Sequence, residues 1–93
     1  MSEQNNTPVE LELLEEYWLD PNFSIKTAVL GAAALGQLKD KRAFEESVRQ
    51  QVEGLISLQT DMPNGRITLN YSPQEVEARE LKKMIAELLK ENY

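Results

Sequence analysis

The chain has 93 residues, enough for one small domain and too few to stock a second core. It contains no Cys and no His, which excludes disulfides, thiolate or imidazole metal sites, and every nucleophile or triad built on those groups. Ten Lys and Arg stand against sixteen Asp and Glu, a net charge of −6, so nucleic acid and anionic membranes are repelled on average.

In chain order, residues 1–7 are polar and read as a disordered tail. The first residues carry acid where a secretion signal would carry Lys or Arg, so a cytoplasmic location is expected. Thr7-Pro8-Val9-Glu10 has the form of a capping box, with Pro at the first helical position. It predicts an acidic amphipathic helix over residues 8–20, with Leu11, Leu14, Tyr17 and Trp18 on one face and Glu12, Glu15 and Glu16 largely elsewhere. Pro21 would stop it. Residues 1–24 hold six acids and no base, whereas 25–93 hold ten of each, so the whole net charge belongs to the first quarter.

Between Ser24 and Leu38 two readings compete. Ile25, Thr27 and Val29 alternate with Lys26 and Ala28, which favours a strand at 25–30. The Ala-rich run Gly31 to Gly36 would instead suit one helix across 24–37, close-packed in the core or against a second copy. The apolar run Thr27 to Leu38 has twelve residues, too short to cross a bilayer, since a helix needs about twenty.

Phe44, Val48, Val52 and Leu55 define an amphipathic helix over roughly 41–54, with Gly54 as the residue that closes it. Ile56 to Thr60 and Arg66 to Tyr71 both alternate, and Asp61-Met62-Pro63-Asn64-Gly65 supplies a turn, so a hairpin is predicted. Ser72-Pro73-Gln74-Glu75 is a second capping box. It should open a helix to about Asn92 whose buried stripe is Val76, Leu81, Met84, Ile85 and Leu88.

The stretch from Val52-Glu53-Gly54-Leu55 through the hairpin to Asn70-Tyr71-Ser72-Pro73 resembles the heavy-metal-associated domains. In that family a helix ends in a Glu-Gly or Pro-Gly step, and two strands around an Asn/Gly turn lead through a polar-Pro step into the last helix. The resemblance covers about 42–90. It implies an α+β, ferredoxin-like fold for residues 24–93, an antiparallel sheet with both helices on one face, beside the extra N-terminal amphipathic helix. The family's Cys-x-x-Cys pair would fall at about Leu38 and Lys41, neither of which can hold a soft metal. The chain is thus similar to a cysteine-free branch found beside membrane ion pumps and as short stand-alone proteins. The family's usual edge strand after the last helix is not expected here.

Paired carboxylates (Glu15/Glu16, Glu45/Glu46, Glu75/Glu77) could serve acid–base work or a hard cation, but each pair falls on the polar side of a predicted helix, where solvated charge is the ordinary outcome. Lys39, Lys41, Arg42 and Arg49 are interleaved with Asp40, Glu45 and Glu46, and read as a solvated helix start. No phosphate cradle is present. The expected function is that of a non-catalytic protein-interaction module without cofactor, metal or nucleic acid and without membrane insertion. Its contact residues would be Leu11, Leu14, Tyr17 and Trp18, laid into a partner's groove or folded onto their own domain. Alternatives are weak metal-ion handling as an accessory to a membrane transporter, or a structural subunit of a larger, homodimeric or homo-oligomeric assembly.

Overall fold

The computed structural model describes residues 11–20, 22, 24–33 and 35–91; the tail 1–7 and the first capping box lie outside them. The elements are β1 (Leu11–Trp18), β2 (Lys26–Ala32), a single 3₁₀ turn at Leu35–Gln37, α1 (Lys41–Gln51), β3 (Leu55–Asp61), β4 (Arg66–Tyr71) and α2 (Ala78–Glu91). The four strands form one antiparallel sheet in the order β1-β2-β4-β3.

The helix expected over 8–20 is replaced, across 11–18, by β1. Its residues pair with β2 from Leu11 opposite Ala32 to Trp18 opposite Lys26. The physical reason is a β-bulge: Leu13 faces Leu30 and Glu15 faces Val29, leaving Leu14 as an extra residue. One inserted residue shifts the period-2 alternation by one place, and the resulting spacing of apolar residues imitates a helical stripe. Pairing with a ready-made strand outweighs the helix preference of Leu and Glu, which amounts to tenths of a kcal/mol per residue.

The competition at 24–38 resolves as the strand, running to Ala32. Ala28, Leu30 and Ala32 of β2 and Ile67, Leu69 and Tyr71 of β4 point to one face, where they join Phe44 and Val48 of α1 and Leu81, Ile85, Leu88 and Leu89 of α2 in a single core. The predicted hairpin is present: Gly65 takes the left-handed conformation (φ 63°) and Asn64 donates to the Asp61 carboxylate at 2.8 Å.

Two helix ends differ from expectation. The first helix stops at Gln51, because Val52 turns extended while its N–H still donates to Val48 O. Gly54 (φ 86°) therefore serves the following turn, and its carbonyl accepts from Ser72 N–H. The last helix begins at Ala78 instead of directly after the Ser72 box. Ser72 O accepts from the N–H of both Glu75 and Val76, closing a separate turn that buries Val76, and the Glu80 carboxylate accepts from Glu77 N–H at the true helix start.

From β2 to α2 the order is β-α-β-β-α, the first five elements of a ferredoxin-like chain. The fourth strand comes from the N-terminal side, as β1 beside β2. The architecture is α+β and compatible with a ferredoxin-like fold.

Candidate functional site

β1 is an edge strand. No described strand pairs with its outer side, and of its eight residues only Leu11 is buried. The register distributes the side chains. Leu11, Leu13, Glu16 and Trp18 lie opposite Ala32, Leu30, Ala28 and Lys26 and share the helix side of the sheet, whereas Glu12, Glu15 and Tyr17 lie opposite Gly31, Val29 and Thr27 on the open side. Leu14 leans over Gly31, where a Cβ would stand only 3.2 Å from its Cδ1.

The four residues expected to form one interaction face are therefore separated. Leu11 enters the core. Leu14 and Tyr17 belong to the open side and Trp18 to the helix side, all three over 40% exposed at 42%, 46% and 42%. Leu13, Leu19 and Ile56 are exposed as well. The first two extend the apolar surface of β1, and helical spacing gave no reason to include them. Ile56 stands at the far edge, as the extra residue where Leu55 faces Tyr71 and Ser57 faces Asn70.

Under β1 a cleft of about 550 Å³ opens between the strand and α2, lined by Leu13, Glu16, Lys26, Tyr71, Arg79 and Lys82 among others. Its inner wall is a chain of polar contacts. The Tyr71 hydroxyl donates to the Glu16 carboxylate at 2.8 Å, reaching past the small Ala28. Lys26 Nζ donates to the same oxygen at 3.3 Å and lies 4.9 Å from the centroid of the Trp18 ring. The Tyr71 hydrogen bond, with a smaller contribution from Lys26, holds the Glu16 carboxyl below the usual carboxylate range. Burial, followed by the negative Glu16 beside it, pushes the Tyr71 phenol well above its ordinary value. Both shifts move their groups away from neutrality, so at pH 7 the pair is a fixed phenol–carboxylate bond that anchors β1 to the centre of the sheet.

On the open side a ladder of hydrogen bonds crosses three strands: Thr27 Oγ1 donates to Asn70 Oδ1 at 2.6 Å, and Asn70 Nδ2 donates to Ser57 Oγ at 2.7 Å. The β1–β2 connection is tied by Asp20, whose carboxylate accepts from Ser24 and from the Ile25 N–H. These bonds, with that to the Ser24 hydroxyl foremost, keep its carboxyl below the ordinary range.

Two of the carboxylate pairs have their geometry fixed by the fold. Glu15 and Glu16 point to opposite sides of the sheet, and Glu45 accepts from the Thr60 hydroxyl at 2.7 Å. Among the described residues no three acidic side chains gather as a cation-holding group. Leu38 is buried in the core and Lys41 opens α1. No described helix is long and apolar enough to cross a membrane. Comparison of the chain with models of protein families, with curated proteins and with solved structures finds no match.

Proposed function

We propose that this protein is a non-catalytic interaction module that accepts an extended segment of another protein along the outer edge of β1. The supporting observation is the edge itself: an eight-residue strand along whose outer side no described strand runs, bearing Leu13, Leu14, Tyr17 and Trp18 exposed. An extended peptide gains affinity there from main-chain hydrogen bonds, and selectivity from side chains that alternate between the two sides of the sheet. A long, apolar, unpaired edge invites association unless something blunts it, and in β1 the three glutamates make indiscriminate pairing costly. The binding mode is thus strand addition, in place of the helix-in-groove docking that the helical spacing suggested. The resemblance to a heavy-metal-associated domain enters this reading only as an adapter scaffold that has no thiolates.

The test is a selection of displayed eight-residue peptides against the full chain, with the retained peptides examined for slowed hydrogen exchange at β1 amides and for a blue shift of Trp18 emission. Retained peptides that protect β1 support the reading. Peptides that protect α1, α2 or the β3 edge instead, or no enrichment above background, overturn it.

A further inference from the structure

The surroundings of β1 carry opposite charge on its two sides. On the open side stand Glu12 and Glu15, opposite Gly31 and Val29. Arg66 on β4, two strands in from the edge, and Lys41 of α1 line the same hollows and are matched in number by Asp61 and Glu45, which leaves the two edge acids in excess. On the helix side the cleft is bordered by Arg79 and Lys82, one turn apart on α2 and both exposed. Five charged groups line that cleft, Lys26, Arg79, Lys82, Glu16 and Glu77. Among the described residues the Lys26–Glu16 contact is the one ion pair. With that pair self-satisfied, Arg79 and Lys82 outnumber Glu77.

A strand added to the outer edge would lie about 4.8 Å beyond β1, and its successive side chains would point alternately to these two surroundings. Resting on the strand-addition reading, we infer that the partner is an extended segment of a different protein with basic side chains on one face and acidic side chains on the other. The basic face meets Glu12 and Glu15, and the acidic face meets Arg79 and Lys82. Leu13 and Tyr17 offer apolar contact between the charges.

A second copy of this chain fits poorly at either edge. β1 against β1 in one continuous sheet sets Glu12 and Glu15 beside the same two acids, and like charges facing each other across strands are destabilising. β3 offers Ser57, Gln59 and Asp61 on its open side and no base of its own, with Arg66 behind Asp61 on β4.

Five capped eight-residue peptides test the inference on the full chain. One alternates Lys with Glu, one Lys with Val, one Glu with Val and one Thr with Val; the fifth places four Lys before four Glu. Affinity is read from Trp18 emission and from the protection of β1 amides. The alternating Lys/Glu peptide is expected to bind at least tenfold more tightly than the block peptide of identical composition and than the Thr/Val peptide. Glu12→Lys with Glu15→Lys should weaken the Lys/Val peptide at least tenfold and spare the Glu/Val peptide. Arg79→Glu with Lys82→Glu should do the reverse. All four sites are exposed, and unchanged far-ultraviolet circular dichroism verifies that the variants remain folded.

Equal binding of the alternating, block and Thr/Val peptides, all protecting β1, overturns the two-faced charge rule and leaves strand addition standing. No protection of β1 by any peptide removes strand addition itself. A doubling of mass in light scattering that is abolished by substitutions in β1 assigns the edge to a second copy and overturns the inference.

Discussion

Tyr71 and Glu16 connect β4 to β1 across the intervening β2, and their bond predicts how stability responds to pH. The Glu16 pKa is lowered in the folded state, so its contribution is present above the unfolded value, about 4.3, and is lost as pH falls through the folded value. The Tyr71 pKa is raised, so its contribution is complete below the unfolded value, about 10, and is lost as pH rises beyond it. Tyr71→Phe removes the hydroxyl and keeps the ring in the core. The Glu16 side chain is 33% exposed, and after solvent screening the expected cost at neutral pH is about 1 kcal/mol. Thermal melting of both proteins from pH 3 to 11 should show a gap that is widest near neutrality and closes toward both extremes. A constant gap would mean that the substitution disturbs packing alone. Glycines give a second contrast at the same scale. At Gly65 a Cβ would stand 2.8 Å from the backbone oxygen of Ala32, at φ 63°, so Gly65→Ala should cost about 1–3 kcal/mol. At Gly36 nothing lies within 4 Å, and Gly36→Ala should change the melting temperature little or raise it.

At the scale of elements, the core-forming segments were readable because packing on one side imposes one period. Phe44 and Val48 in α1, the alternation of β4, and Leu81, Ile85 and Leu88 in α2 all fall where their spacing places them. What spacing could not convey was the bulge at Leu14. The extra residue aligns Leu11, Leu14, Tyr17 and Trp18 as a helix would, and only the neighbouring strand reveals that they lie on different sides. Leu14, Tyr17 and Trp18 could be picked out of the sequence as apolar residues among acids, whereas the burial of Leu11 and the division of the others between two sides of the sheet could not. The basic side of the cleft was hidden altogether, since Arg79 and Lys82 are more than sixty residues from β1 and meet it only through the docking of α2. Because Leu11 is part of the core and β1 covers one edge of β2, a chain beginning at Ser24 should melt earlier than the full protein and associate, as followed by circular dichroism and light scattering. Leu11→Ala in the full chain should cost about 2–3 kcal/mol. A truncated chain as stable and monomeric as the full one would show that β1 is dispensable to the fold.

For the whole molecule, the sheet has two edges of opposite direction: β1 at one end and β3 at the other run antiparallel to each other. A plain translation of the protein would set the β3 edge of one molecule against the β1 edge of the next and continue the alternating pattern indefinitely, a head-to-tail contact that does not close. Each of these edges carries one extra residue, Leu14 in β1 and Ile56 in β3. Each therefore bends its edge locally, so that two such edges meet out of step with one another, although an unbulged strand pairs across either bulge as β2 and β4 do. Deleting both Leu14 and Ile56 would leave every remaining pair in place, Leu13 with Leu30 and Glu15 with Val29, Leu55 with Tyr71 and Ser57 with Asn70. The doubly deleted protein should still fold, yet at high concentration and in enough salt to screen its acids it should grow filaments with a repeat of about 4.8 Å along the axis, visible by electron microscopy and fibre diffraction. On that outcome the two bulges are chain terminators, each stopping the sheet from becoming a polymer.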